Sequence, residues 1–228
     1  AMRRMNLSHG VSHCQPRQCS DSMRAMYKRK DSYYLQAKKE GYRSRSAYKL
    51  TEIARKESVV RPGDFVVDAG AAPGGWSQIL LSLLGSKGKV AAVDILPMEP
   101  LPGENYRFFQ EDLSLPSLPD RILGFLGRKA DAVVSDAAPN TSGIAFTDQA
   151  RSADLVRVVL SLARKTLKEG GTFLAKIFEG QEAESVFKEL KAEFETVRRI
   201  RPSATRKESS ELYLLAKGFR GLKKQGRS

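Results

Sequence analysis

The sequence predicts an α/β fold in which a largely parallel, doubly wound sheet is covered by helices on both faces. The main observation is a regular alternation of short β-rich runs with longer helical stretches, which is typical of such sheets. The length of 228 residues fits one globular domain with modest extensions. A hydrophobic fraction of 41% is enough for a core. No run approaches the roughly 18 apolar residues of a membrane helix, so we expect no membrane association.

Seven segments have the length and composition of strands. They are Phe65 to Ala69, Val90 to Ile95, Tyr106 to Gln110, Ala132 to Ser135, Thr172 to Phe178, Val197 to Ile200 and Leu212 to Ala216. Helices are expected at Trp76 to Leu84, Asp148 to Leu167 and Gln181 to Phe194, with one or two more between Ser32 and Glu57. No helical stretch separates the last two strands, so we expect that pair to be antiparallel.

The ends of the chain differ from its centre. We expect a basic, flexible extension over residues 1–30, a folded domain over 31–218, and a basic, flexible tail over 219–228. The extension has no apolar stretch of the secretory type, which favours a cytoplasmic protein. It holds His9, His13, Cys14 and Cys19, but their spacing matches no familiar zinc site, so we predict no metal.

The charge of the chain points to an anionic partner. The formal net charge is +13, and an excess of lysine and arginine attracts polyanions. Nucleic acid is the leading candidate, although solubility or a basic tail alone would also account for the charge.

A glycine-rich turn follows the first strand, in the text GAAPGGW from Gly70 to Trp76. Ligands of open α/β sheets bind at the carboxyl ends of strands, where glycines let the backbone approach closely. The spacing matches neither the dinucleotide fingerprint nor a Walker loop, and Pro73 removes an amide donor. A cofactor without phosphate, such as S-adenosylmethionine, fits better.

Two acids follow the next strands. Asp94 ends the second strand, where a carboxylate can accept hydrogen bonds from both ribose hydroxyls of an adenosine. Asp112 follows the third strand and could accept from an adenine amino group. A helix cap or a turn is the structural alternative for each.

The segment SDAAPN after the fourth strand bears on the acceptor. Asp136 ends that strand, but Ala137 and Ala138 interrupt the motif of amino-group methyltransferases. A cytosine-C5 enzyme needs a cysteine nucleophile, and the catalytic region has none. Hydroxyl and small-molecule acceptors remain.

Lys176 lies in GGTFLAKIFEG, an otherwise mostly apolar strand. Such a lysine either reaches water from the strand end or is partly desolvated for function. A ribose hydroxyl is a poor nucleophile that gains by losing its proton, which a neutral lysine could accept. Lys49 could supply a cation that favours the neutral amine, and Asp136 and Glu211 could orient the lysines and the hydroxyl, although carboxylates also favour the charged lysine.

Together these segments resemble the FtsJ/RrmJ family of RNA 2'-O-ribose methyltransferases. The resemblance rests on GYRSRSAYKL (41 to 50), VVDAGAAPGGWSQ (66 to 78), VDILPM (93 to 98), SDAAPN (135 to 140), FLAKIFEG (173 to 180) and RKESSELYLLA (206 to 216). It implies a seven-stranded class I methyltransferase sheet with an antiparallel last strand. The family's catalytic tetrad falls on Lys49, Asp136, Lys176 and Glu211. We expect cofactor contacts at Gly70, Gly74, Gly75, Trp76, Asp94, Asp112 and Asp136.

The resemblance also implies a substrate. Compact bacterial-type members methylate a uridine in the A-loop of large-subunit ribosomal RNA, and relatives modify tRNA or messenger caps. We expect a monomer that holds RNA through cations at the mouth of the site. These are Lys38, Lys39, Arg43, Arg45, Arg199, Arg201, Arg206 and Lys207, of which about half should touch phosphate. A small-molecule O-methyltransferase and a non-catalytic RNA-binding protein are the rival interpretations.

Overall fold

The computed structural model describes residues 35–205 and 209–221. The predicted N-terminal extension, its histidines and cysteines, Arg206, Lys207 and the end of the tail lie outside the described residues.

Seven strands form the sheet of the described chain. They are β1 (Phe65–Ala69), β2 (Lys89–Asp94), β3 (Tyr106–Gln110), β4 (Ala130–Ser135), β5 (Leu167–Phe178), β6 (Phe194–Ile200) and β7 (Glu211–Phe219). Their order across the sheet is β3-β2-β1-β4-β5-β7-β6. Neighbours from β3 to β5 are parallel, whereas β7 is antiparallel to both β5 and β6. The predicted mostly parallel sheet with an antiparallel last strand is confirmed.

Five helices cover the sheet in the described ranges, after a short helical turn at residues 35–39. They are α1 (Ala47–Glu57), α2 (Gly75–Leu84), α3 (Leu118–Leu126), α4 (Ala145–Thr166) and α5 (Gln181–Glu193). Helix α3 was not predicted from the sequence, because a proline so close to Pro116 is typical of a loop. Proline is tolerated in a first helical turn, and Pro119 lies there. The helix is fixed by burial of Leu118, Ile122 and Leu126, which recur every four residues.

The core has two layers, one on each face of the sheet. On one face α1 and α2 bury Leu50, Ile53 and Leu80 against the strands. On the other face α3, α4 and α5 do the same with residues such as Val156 and Leu190. Every residue of β4 is buried, as expected for a central parallel strand covered on both sides.

The topology defines one crevice. From β1 the chain winds outward through β2 and β3, and from β4 it winds the opposite way to β5, so winding reverses between β1 and β4. Ligands of doubly wound sheets bind at the carboxyl ends of strands at such a point. Within the described ranges, no helix has the length and apolar character needed to cross a membrane.

Candidate active site

Four charged side chains that are distant in the sequence meet at the carboxyl edge of the sheet. Lys49 Nζ donates to Glu211 Oε2 at 2.8 Å. Lys176 Nζ donates to the backbone carbonyl of Asp136 at 2.7 Å and lies 3.1 Å from Asp136 Oδ1. It also lies 4.0 Å from Glu211 Oε1, which links the two pairs. The structure therefore brings the four predicted catalytic residues into one cluster.

Local structure explains why these side chains converge. The antiparallel register of β5 and β7 sets Lys176 opposite Tyr213 and Phe178 opposite Glu211. Directly opposed residues share a face, and so do residues two apart in a strand, so all four lie on one face. Lys49 reaches the same place from the buried side of α1, beside Leu50. Strand pairing and helix packing thus fix the cluster independently of its charges.

The lysines of the cluster are buried to a degree that requires partners. Lys49 is 6% exposed and Lys176 is 8% exposed. Burying an unpaired charge is costly, and the carboxylates of Glu211 and Asp136 offset that cost. Burial alone would raise the pKa of Glu211, but the hydrogen bond from Lys49 and the charges of both lysines outweigh it and lower that pKa. Glu211 is therefore an anion at neutral pH.

The glycine loop packs closely against its surroundings. A Cβ on Gly70 would lie 2.4 Å from Ala137 Cβ, and the residue has φ +77°, which favours glycine. This contact brings the β1 turn against the end of β4, beside Asp136. A Cβ on Gly75, the first residue of α2 after its cap Gly74, would lie 2.2 Å from Ser44 Oγ. Part of the glycine requirement thus comes from protein packing, which the sequence pattern did not indicate.

Asp94 and Asp112 can still accept hydrogen bonds from a ligand. Asp94 accepts hydrogen bonds from the amides of Ala72 and Leu96, one on each oxygen, at 2.9 Å. Each carboxylate oxygen has two lone pairs, so both can still accept a hydroxyl. Asp112 Oδ1 accepts two hydrogen bonds from Ser114, which lower the pKa of Asp112 and keep it ionised. An adenosine-like group would find suitable acceptors at both positions.

Apolar surface accompanies these acceptors. Ile95 and Leu96, directly after Asp94, are 63% and 58% exposed. Exposed apolar side chains beside a ribose acceptor fit the face of an adenine ring. The two carboxylate acceptors, the glycine loop and this apolar pair therefore fit S-adenosylmethionine.

A family model described as FtsJ-like methyltransferase matches residues 42–219. The chain belongs to the FtsJ-like methyltransferase family. It is therefore a methyltransferase, and the resemblance proposed from the sequence is confirmed at the level of the family.

Individual relatives agree with this family membership. The chain is 44% identical over 197 residues to ribosomal RNA large subunit methyltransferase E of Methanothermobacter thermautotrophicus, covering 86% of this chain and 93% of that protein. It is 50% identical over 194 residues to the protein of the same name from Rhodopseudomonas palustris, covering 84% and 81%. A solved ribosomal RNA methyltransferase from Plasmodium falciparum superposes with a TM-score of 0.71 at 28% identity, covering 79% of this chain and 100% of that one.

Sequence reasoning missed Tyr213, which lies at the centre of this FtsJ-like site. Its hydroxyl donates to Asp136 Oδ1 at 2.6 Å, and its ring stacks on Trp76 with centroids 5.7 Å apart. Burial, together with the charge and hydrogen bond of Asp136, raises the pKa of Tyr213 well above its usual value. Its position two residues after Glu211 was a usable signal, since both share a strand face.

The side chain of Trp76 is buried inside the protein. Its indole is 2% exposed and donates from Nε1 to the carbonyl of Ser46 at 3.0 Å. The side chain thus packs between the start of α1 and the ring of Tyr213. The amides of a first helical turn have no intrahelical acceptor, so the backbone of Trp76 remains suited to contact a ligand.

The predicted RNA-contacting cations are placed unevenly. Lys38 and Lys39 are exposed on the helical turn that precedes α1. Arg43 binds the backbone carbonyl of Glu99, and Arg45 is only partly exposed. The remaining two described cations form ion pairs, Arg199 with Glu184 and Arg201 with Glu179, each at 2.6 Å.

Proposed function

We propose that this enzyme transfers a methyl group from S-adenosylmethionine to the 2'-hydroxyl of a ribose in large-subunit ribosomal RNA, at a uridine of the A-loop. The observation that carries the proposal is the hydrogen-bonded cluster of Lys49, Asp136, Lys176 and Glu211 beside the cofactor loop. The names of relatives that match most of their own length support the RNA substrate. The charge of +13 supports a polyanionic partner.

Lys176 is the group that we assign to proton transfer. In its neutral form its Nζ can accept the proton of the ribose hydroxyl, which makes the oxygen a better nucleophile. The ammonium that results is then held by Asp136, at 3.1 Å, and by Glu211, at 4.0 Å. The same carboxylates pair with Lys176 before the reaction, so their role is to hold its Nζ in place for the transfer.

Glu211 and Lys49 act as a positioning pair. Lys49 occupies Glu211 Oε2, and Lys176 Nζ lies 4.0 Å from Oε1. That oxygen can therefore accept a hydrogen bond from the hydroxyl and hold it near Lys176. Correct placement supplies much of the rate in a reaction whose donor is already activated.

The cofactor, when bound, supplies an electrophilic methyl group on a sulfonium. We assign its binding to the β1 turn and the carboxyl ends of the neighbouring strands. Asp94 would accept from the ribose hydroxyls, Asp112 from the adenine amino group, and Asp136 would line the reacting end. The backbone of Gly70, Gly74, Gly75 and Trp76 would complete the cradle.

RNA would lie across the mouth of this site. Lys38, Lys39, Arg43, Arg45, Arg199 and Arg201, with Arg206 and Lys207, are the cations we assign to it. The ion pairs of Arg199 and Arg201 would then exchange a carboxylate for a phosphate on binding. We assign catalysis to a domain of 31–218, acting as a cytoplasmic monomer.

One experiment separates this function from its rivals. The protein is incubated with S-adenosylmethionine labelled in the methyl group and with total RNA, intact large ribosomal subunits or a metabolite extract, and the label is located. The proposal predicts label in large-subunit RNA. Label in tRNA, in messenger caps or in small molecules would assign a different substrate, and no transfer would refute the catalytic role.

A further inference from the structure

A cleft of about 320 Å³ opens beside the charged cluster, between the first turn of α4, the end of β5 and the start of β7. Its walls include Gln149, Phe178, Ser209, Ser210 and Glu211. Glu211 belongs to both cleft and cluster, so a group in the cleft adjoins the lysines. The volume is at the lower end of ligand pockets, which suits one nucleoside rather than several.

The walls of this cleft are held in place by hydrogen bonds. Asp148 accepts from the amide of Ser142 at 2.7 Å, from its hydroxyl at 2.8 Å and from the amide of Gly143 at 3.1 Å. The amide of Glu179 donates to the carbonyl of Ser210 at 2.8 Å. Fixed walls lower the cost of ordering on binding, which is what a preformed site requires.

Gln149 is a polar group of the wall whose side chain makes no hydrogen bond within the described fold. It is half-buried, and among the described residues its carboxamide has no hydrogen-bond partner. A Cβ on Gly180 would lie 2.3 Å from Gln149 Oε1, so the carboxamide packs against the bare backbone of that glycine. Because the carboxamide is accessible from the cleft and is not engaged by the fold, it is free to hydrogen-bond to a ligand there.

We propose that this cleft binds the base of the acceptor nucleotide and that Gln149 reads its hydrogen-bonding edge. The inference rests on the proposed RNA methyltransferase function. A nucleobase combines flat apolar faces with a polar edge, and Phe178 and the Gln149 carboxamide match those two features. A carboxamide offers one acceptor and two donors, which suits the paired donor and acceptor of a base edge. Gln149 is thus a specificity-determining residue that takes no part in proton transfer.

The test compares acceptor bases. Tagged large ribosomal subunits are prepared with each of the four bases at the mapped acceptor position, and kcat/KM is measured for the wild type and for Gln149→Ala. We expect Gln149→Ala to lose about 10-fold in kcat/KM for the preferred base, with little change for the others. Gln181→Ala, a glutamine of the first turn of α5 that is exposed, serves as the matched control and should keep the wild-type preference.

A second variant guards against a folding defect. Gly180 has φ 164°, which any residue adopts, so Gly180→Ala should fold but displace the Gln149 carboxamide. It should reduce the base preference as Gln149→Ala does, and the double variant should lose no more than either single one.

The outcomes separate the two hypotheses. Wild-type protein that methylates no RNA refutes the proposed function. Active wild type with an unchanged base preference in Gln149→Ala, or with an equal loss for all four bases, overturns the inference alone.

Discussion

Asp68 lies at the centre of β1 with no exposed surface, and its charge should make folding depend on pH. Ser77 Oγ donates to its Oδ2 at 2.6 Å, while Oδ1 has no partner among the described residues. Burial, with the nearby charges of Asp136 and Asp94, raises the pKa of Asp68 from 3.8 to about 7 despite the Ser77 hydrogen bond. The folded protein therefore binds this proton more tightly than the unfolded chain does.

The sign of the effect follows from that difference. Because the folded pKa is raised, the contribution of Asp68 to stability is complete below pH 3.8 and is lost as the pH rises through about 7. The total loss is about 4 kcal/mol at pH 8, and between half and three quarters of it falls between pH 5 and pH 8. An asparagine at this position would resemble the protonated acid at every pH. Between pH 5 and pH 8 the free energy of unfolding of Asp68→Asn should therefore rise by about 2–3 kcal/mol relative to that of the wild type.

Urea unfolding, followed through the fluorescence of Trp76, the one tryptophan, measures the gap in unfolding free energy between the variant and the wild type. Asp131→Asn is the control. Burial alone would raise the pKa of Asp131, but hydrogen bonds from Arg128 and Lys168 lower it, so it stays ionised in both states across the same interval. Its gap to the wild type should be constant. A constant gap for Asp68→Asn as well would refute the reasoning about burial.

Three further predictions concern the site. Lys176→Ala should lower turnover by at least about 100-fold and leave cofactor affinity nearly intact. Asp94→Ala should instead weaken cofactor binding by about 10-fold or more. Calorimetry measures the affinity of each variant, and single-turnover kinetics measure its rate. Tyr213→Phe should cost about 1.5–3 kcal/mol in urea unfolding, since it loses the hydrogen bond to the Asp136 carboxylate. RNA affinity in filter binding should fall by about 100-fold from 50 to 200 mM salt if four phosphates are contacted, and a flat response would contradict the electrostatic assignment.

The order of elements could be predicted from the sequence because it depends on local patterns. Alternating β-rich and helical segments predicted the sheet, and the missing helix before β7 predicted its antiparallel direction. Helix α3 was missed because Pro119 is typical of a loop until its position in the first turn is known. The strand boundaries also differ. β5 begins at Leu167, five residues before the predicted Thr172, because its first residue pairs with Ala130 of β4 across an irregular register.

The candidate site also contains residues that could be predicted from the sequence and residues that could not. Lys49, Asp136, Lys176 and Glu211 could be assigned because the family motifs that carry them are local in sequence. Partners across strands could not be assigned, because the register of β5 against β7 is a property of the folded sheet. The perturbed pKa of Asp68 could have been predicted, since a lone acid in an otherwise apolar strand is expected to be buried.

The position of the transferred methyl group tests the central claim most directly. Large subunits methylated with labelled cofactor by the wild type and by Lys176→Ala are extracted, and their RNA is hydrolysed with alkali, which requires a free 2'-hydroxyl. We predict wild-type label in an alkali-resistant dinucleotide, and at least about 100-fold less of it in the same time with Lys176→Ala. Label recovered on a base, in ordinary mononucleotides, would contradict the assignment of a ribose acceptor.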